Sequence, residues 1–410
     1  MMLQCVCVSC ELQQNPIGID EPYPRFRWKL ESNREQVWQT AYEIRVDGMW
    51  NSGKVDSNEN FDIVYQGPPL QPFTQYHYAV RVWDNYGEIS DWSVGNFETG
   101  FMNPCNWNAS WITTGEGNLE ILPVFKKEFS IKHLPQRARI YATALGVYEI
   151  SLNGNRVGDS WLAPGFTSYH KQLLYQTYDV TSLLQHENIL CVTLGKGWCR
   201  GRLAWKENGN IYQCEPGILL QMRIEEMDGS VQEICTDKTW QFADSPYRMS
   251  ELYDGEVYDA TVALDGAYKW KDVHILDYPM YHIHAQKHEP IRVTETIHPI
   301  SIIQTPKGET VIDFGQNMVG WAEFRVHGKR GDHVRLSFAE VLDKEGNFYT
   351  ENYRTAQSHV DYFLSGIGEE YYHPHFSFMG FRYVRVDSFP CEITLDRFVG
   401  LVIHSDLNRI

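Results

Sequence analysis

Apolar residues recur two apart along most of this chain, and stretches with helical spacing are scarce. Tyr76, Tyr78, Val80 and Val82 alternate with His77 and Arg81, the pattern of a strand that buries one face. The same period runs through residues 148–152, 219–224, 322–326, 334–338 and 382–386. Between such runs stand Asn153-Gly154, Asp228-Gly229, Lys307-Gly308 and Glu345-Gly346-Asn347, where glycine supplies the backbone freedom a tight turn needs. The one helix-like stretch of note, residues 180–184, is short. A period of two repeated this often leaves sheets packed on sheets as the way to bury the apolar faces. The expected fold class is all-β, a tandem of β-sandwiches.

A length of 410 residues sets a prior of about three domains. Breaks in the pattern place them at residues 1–102, 103–289 and 290–410. The first ends after Phe97–Phe101, where Asn103-Pro104 interrupts the alternation, and the Pro- and His-containing stretch 278–299 marks the second join. Within the first block, residues 70–76 have the form of a tyrosine corner, in which a Tyr near the start of a late strand ties its hydroxyl to upstream backbone. That signature indicates a fibronectin type III-like sandwich.

Composition narrows the partners. The 36 Lys+Arg against 53 Asp+Glu give a formal charge of −17, a field that repels nucleic acid and anionic membranes. No apolar run reaches the roughly 18 residues of a membrane span. A hydrophobic content of 43% with 14% aromatic residues is too high for a disordered chain, and suits both β-sandwich cores and sugar-stacking platforms. The start lacks the basic region of a secretory signal, and Glu11 follows almost at once, so residues 1–10 are read as a first strand and the chain as cytoplasmic. Nine cysteines leave at least one thiol unpaired. Cys5, Cys7 and Cys10 cluster, but no further ligands follow at zinc-finger spacing, so buried or half-buried thiols are expected rather than a metal site.

Two segments could carry chemistry. Trp198, Arg200, Arg202 and Trp205 lie among Gly195, Gly197 and Gly201. Glycine permits close approach, Trp offers a stacking face, and Arg can grip hydroxyls with a fixed fork, which makes a carbohydrate cradle. The same residues would serve a β-bulge whose Trp fills the core. Residues 251–259 then pack Glu251, Asp254, Glu256 and Asp259 around two tyrosines. Such acids can bind sugar hydroxyls or calcium, do acid–base work, or pin a polar turn. Glycosidic cleavage needs two carboxyls facing each other across the bond, which spacing alone does not provide. His282 and His284 would share a face in a strand, without a third metal ligand. No phosphate loop or nucleophile elbow occurs, so nucleotide cofactors have no seat. Asp313 and Asn317, flanking Gly315, are expected to cap turns. Phe381 and Tyr383 are expected to pack on one strand face, and Asp361 to face away from the core and pair with Arg354 or Arg382 to hold the fold.

The motifs together resemble the bacterial α-L-rhamnosidases of glycoside hydrolase family 78. Asn15-Pro16, Pro24 through Trp28, residues 39–44 and 50–55 match the family's opening. Residues 152–158, 162–169, 175–181, 197–202 and 253–260 match its middle, and Asp313 to Asn317, 339–342, 354–356 and 380–383 its third region. Two departures stand out. Thr261 occupies a place where the family commonly has a basic residue, which would remove any pairing of that residue with an acid of the motif. The hairpin between Val46 and Trp50 is short.

The resemblance implies a fibronectin type III-like domain, a jelly-roll N-terminal domain and a concanavalin-like β-sandwich. In the family these precede an (α/α)6 barrel carrying the catalytic carboxylates, which invert the anomeric centre of terminal α-linked rhamnose. Here the sequence ends near where that barrel would begin. The expectation is therefore a non-catalytic scaffold, inactive alone, that partners a helical barrel in cis or from an adjacent gene. It would offer Trp198, Arg200, Arg202, Trp205, Asp254, Glu256 and Asp259 to a rhamnose-containing carbohydrate. The alternatives are a stand-alone carbohydrate-binding protein and a β-sandwich hydrolase working with the acids of 251–259. No cofactor is expected. Calcium occurs in some sugar-binding modules of this kind, but no ligand set can be assigned to it here.

Overall fold

The alternating runs become strands. In the computed structural model, which describes residues 3–407 except 116, 118, 204–207 and 265–267, strand Gln75–Asp84 buries Tyr76, Tyr78, Val80 and Val82 and exposes His77. The stretch at 180–184 is a single 3-10 turn, Thr181–Leu183. The α-helices among the described residues, Gly197–Arg200 and Ala260–Leu264, are four and five residues long, and none is long and apolar enough to cross a membrane.

The chain divides into two compact units, Met1–Trp107 with Met280–Lys287, and Asn108–Pro279 with His288–Ile410. In the first, strands Gln4–Cys10, Arg25–Glu31 and Ile63–Val64 form one sheet. Trp50–Asn51, Gln39–Val46, Gln75–Asp84 and Ser93–Glu98 form another. Their inner faces meet over Phe26, Trp28, Ile44, Tyr65, Tyr78 and Phe97. The tyrosine corner is present, since the Gln71 N–H donates to the Tyr76 hydroxyl at 2.7 Å. Outside, Lys54, Arg81 and Arg45 interleave with Trp83 and Trp92 at 4.5–5.2 Å from the ring centres. Long cationic stems thus cover aromatic faces that would otherwise meet water. Within this unit His282 is buried and His284 exposed, so the pair does not share a face as the alternation suggested.

The second unit begins with a sandwich. One sheet centres on Gly217–Glu225 between Ile112–Thr113 and Arg137–Leu145. The other orders Asn155–Arg156, Val147–Leu152, Glu187–Gly195, Pro123–Ser130 and Gln241–Asp244. Ile140, Ala142, Leu190, Val192, Leu220 and Trp240 fill the space between. Asn153 and Gly154, at φ of 54° and 79°, make the two-residue turn between Val147–Leu152 and Asn155–Arg156, the mirror-image type that matches strand twist.

A ten-stranded sheet completes this unit, with Thr310–Val326 at its middle against Met379–Ser388 and Phe398–Ser405. Asp313 accepts the Gly315 N–H at 2.7 Å, as a turn cap does, but inside a bulge of this long strand rather than in a loop. It also receives two bonds from Arg382, at 2.8 and 2.9 Å. Asp361 is buried rather than outward. Its partners are His333 at 2.6 Å, His359 at 3.2 Å and Arg335 at 3.5 Å, not Arg354 or Arg382. Phe381 and Tyr383 both pack apolar clusters, though two different ones. The strands Tyr247–Glu251 and Gly255–Asp259 also join this sheet, the latter parallel to His359–Phe363. The acid-rich segment is thereby carried into the third region's sheet.

Candidate functional site

The helix Gly197–Arg200 starts at a glycine with φ of 50°, where a Cβ would lie 2.6 Å from Val147 Cγ1. Glycine therefore lets the helix sit on the sandwich and present the next residue, Trp198, half-buried between Phe166 and Phe378 at 6.1 and 6.3 Å. Trp198 forms one wall of a cleft of about 400 Å³. Tyr253, Tyr353 and Phe378 supply further aromatic surface, and Glu340 a carboxylate. The Tyr353 hydroxyl donates to the Gly380 carbonyl at 2.8 Å, which holds its ring, and Glu340 accepts from Asn317 at 3.1 Å. Burial pushes the Tyr353 phenol up, so it stays a neutral donor.

Beside this cleft, Arg202 donates to Asp254 at 2.7 Å and to the Thr355 carbonyl at 3.2 Å, with its guanidinium 5.6 Å from the Tyr253 ring centre. Its backbone N–H donates to Glu251 at 2.8 Å. The fork expected to grip hydroxyls thus braces the wall that carries Tyr253. Arg200 donates instead to the carbonyls of Cys214, at 2.7 Å, and of Gly117. Glu256 is fully buried, and Asp259 accepts the Thr261 N–H and hydroxyl at 3.0 and 2.6 Å, capping the helix Ala260–Leu264. Thr261 is therefore a partner in that cap. Trp205 lies outside the described residues. Of the seven candidates, Trp198 lines the cleft, and Arg202 and Asp254 stand behind its wall. Arg200, Glu256 and Asp259 are engaged elsewhere.

Sequence inspection missed Tyr353, Phe378 and Glu340. They come from the third region and converge with Trp198 only through the sheet, so no local spacing marks them. Among the described residues, no three His, Cys, Asp or Glu side chains converge as a metal site.

A second polar centre lies where strand Val147–Leu152 meets the segment before Met379–Ser388. Glu149 Oε2 and His375 Nδ1 are 3.0 Å apart, and Glu149 Oε1 is 3.7 Å from Arg156, which lies over Trp161 at 3.8 Å. His373 stacks on Trp321 and on His375, each at 4.9 Å. Burial, helped by the neighbouring His375, pushes His373 down to about 4. Burial would also lower His375, but Glu149 outweighs it and raises it. Burial would raise Glu149, but His375 and Arg156 hold it below the usual carboxylate range.

The signs differ. The contribution of His373 is present above its unfolded value near 6.5 and is lost as pH falls toward 4. Glu149 acts in the same direction at lower pH, and His375 in the opposite one, losing its contribution as pH rises through its raised value. For His373 alone the loss is about 3 kcal/mol. Denaturant titrations from pH 7 to 4 should show this decline. His373→Phe, which keeps the stack and removes the proton, should flatten it. Parallel declines in the two proteins would show that His373 is not the responsible group.

Comparison with known proteins places these features. Residues 5–103 match the Rha78A-like N-terminal immunoglobulin domain, residues 133–295 the α-L-rhamnosidase N-terminal domain, and residues 303–404 the bacterial α-L-rhamnosidase concanavalin-like domain. An α-L-rhamnosidase of Formosa agariphila is 33% identical over 97% of this chain and 46% of its own length. The crystal structure of native α-L-rhamnosidase from Aspergillus terreus superposes with a TM-score of 0.94 at 33% identity, over all of this chain and 50% of that one. The Streptomyces avermitilis α-L-rhamnosidase, solved in complex with L-rhamnose, does so with a TM-score of 0.92 at 27% identity, over 99% of this chain and 58% of that one. The chain spans about half the length of the relatives it matches.

Proposed function

This chain belongs to the α-L-rhamnosidase family, of which it carries the N-terminal immunoglobulin, N-terminal and concanavalin-like domains, and we propose that it is the β-domain scaffold of a rhamnose-releasing hydrolase with a rhamnose-binding cleft of its own. The observation that carries this reading is the cleft walled by Trp198, Tyr253, Tyr353 and Phe378, with Glu340 beside them. A 6-deoxy sugar has an apolar methyl and C–H face that suits aromatic rings, and hydroxyls that suit one carboxylate and backbone carbonyls. Glu340 is the one carboxylate lining that cleft among the described residues, whereas glycosidic cleavage uses two across the bond. Bond breaking in this reading belongs to a helical catalytic barrel, continuous with this chain or encoded beside it.

Two measurements test the halves of the proposal separately. Calorimetric titration with L-rhamnose should give saturable heat at millimolar sugar, weakened about tenfold or more in Trp198→Ala, equivalent to ~1.4 kcal/mol. A flat trace for the unaltered protein sinks the binding half. An aryl α-L-rhamnoside should not be turned over by this chain. Turnover that disappears in Glu340→Gln or Glu256→Gln would overturn the scaffold half and revive the β-sandwich hydrolase.

A further inference from the structure

The long strand Thr310–Val326 breaks its register beside the cleft. Asp313 stands opposite Tyr383 and Met318 opposite Phe381, so Phe314, Gly315, Gln316 and Asn317 together face Arg382 alone. Phe314 and Met318 are buried at the two ends of this bulge, and Gly315, Gln316 and Asn317 are exposed between them. Its base is tied down. Arg382 donates to both carboxylate oxygens of Asp313, at 2.8 and 2.9 Å, and Asp313 accepts the Gly315 N–H at 2.7 Å. A bulge re-aims the side chains it carries. Three strands run side by side here, with Ala339, Tyr383 and Asp313 in register across them. Glu340, the residue after Ala339, lays its carboxylate over Gly380 of the middle strand, where a built Cβ would lie 3.5 Å from Oε1. Glycine leaves that crossing clear of any side chain. From the far side, the Asn317 amide donates to Glu340 Oε1 at 3.1 Å. Among the described residues no hydrogen bond reaches Glu340 Oε2.

We propose that Asn317 is a positioning residue for sugar recognition. It holds one oxygen of Glu340 and leaves the other to accept from the hydroxyls of a 6-deoxy pyranose in the cleft. The inference rests on the rhamnose-binding reading of that cleft and adds the residue that prepares it. A glutamate on the rim of a cleft has rotamer freedom that a ligand must remove on binding, and a carboxylate already held in place spares that loss. The chemistry of the holding group matters as much as its place. An amide donates one bond without neutralising the carboxylate, so both oxygens keep lone pairs for hydroxyl donors. A lysine there would compete with the sugar as an ion-pair partner, and an aspartate would repel Glu340. The tether of the bulge through Asp313 and Arg382 is thus part of the sugar site, although neither of those two residues lines the cleft.

The test is calorimetric titration of the whole chain with L-rhamnose at about pH 8 and about pH 5, each variant being compared with the unaltered protein at the same pH. Asn317→Ala should weaken binding about fivefold at both, the order of one hydrogen bond's net contribution, with Tm unchanged. Asn317→Asp sets a second carboxylate against Glu340. The two repel at the higher pH, weakening binding about tenfold, and share a proton at the lower one, which restores a donor and recovers about half of the loss or more. Arg382 stays paired with Asp313 and the Tyr353 phenol stays protonated throughout, so neither produces that recovery. Gln316→Ala, in the same exposed stretch of the bulge, should bind as the unaltered protein does. An equal loss in Gln316→Ala, or an Asn317→Asp deficit that is the same at both pH values, would refute the positioning role and leave Asn317 shaping the bulge alone. Rhamnose binding that neither Asn317 variant alters would refute it too, with the cleft reading still standing. No heat from the unaltered protein removes the cleft reading and this inference together.

Discussion

Gly255→Ala is expected to destabilise the second unit by about 4 kcal/mol, a large share of the roughly 5–15 kcal/mol that ordinarily holds a protein folded. Gly255 has φ of 96°, a conformation L side chains rarely adopt. It opens the strand Gly255–Asp259 and stands opposite His359 in the parallel pairing with His359–Phe363. A Cβ there would overlap the His359 carbonyl oxygen, a backbone atom that cannot turn aside without opening the ladder. The control is Gly229→Ala. Gly229 has φ of 83° but nothing within 4 Å of a built Cβ, so only the backbone cost of about 1 kcal/mol remains. Urea unfolding of both variants separates the two contributions. Equal losses would mean that backbone conformation alone, and not the close approach, requires glycine at 255.

That pairing also shows where sequence inspection reaches its end. Alternation identifies a strand and its buried face because the period of two is a local property. Gln75–Asp84 and Gly217–Glu225 were therefore legible as strands, although the second is buried on both sides over most of its length and not on one face as its alternation suggested. The tyrosine corner was legible because donor and acceptor lie five residues apart. Partner choice was not. Gly255–Asp259 finds its parallel neighbour about 100 residues later, and the cleft takes one wall from Trp198 and others from Tyr353 and Phe378. Asp361 was assigned to Arg354 or Arg382 on charge alone, but the sheet places Arg335 opposite it, His333 opposite Phe363 two positions later, and His359 two positions before it. The acids of 251–259 were legible as an unusual cluster, yet burial separates their roles. Asp254 meets Arg202, Asp259 caps a helix, and Glu256 turns inward.

Glu256→Ala should be similarly costly, about 3–5 kcal/mol, through a different cause. The carboxyl is fully buried and accepts from the Tyr372 hydroxyl at 2.5 Å and from the N–H groups of His375 and Phe376, each at 2.8 Å. It pins the segment leading into Met379–Ser388, which supplies Phe378 to the cleft. Alanine leaves three donors facing a dry void, and water cannot repay them without opening the packing of Tyr247, Tyr258 and Tyr372. Glu256→Gln keeps one acceptor oxygen and should lose only about 1–2 kcal/mol. Its pH dependence identifies the cause. Burial raises the Glu256 carboxyl above the usual range despite the opposing help of His375, Tyr372 and the two N–H groups. A raised carboxyl contributes fully below its unfolded value and loses that contribution as pH rises through the folded one. Glutamine mimics the protonated form and does not titrate. The stability gap between the unaltered protein and Glu256→Gln should therefore narrow as pH rises from 4 to 8 in denaturant titrations. A gap that widens over that range would mean that the ionised carboxylate, stabilised by its donors and by His375, is the form the fold selects.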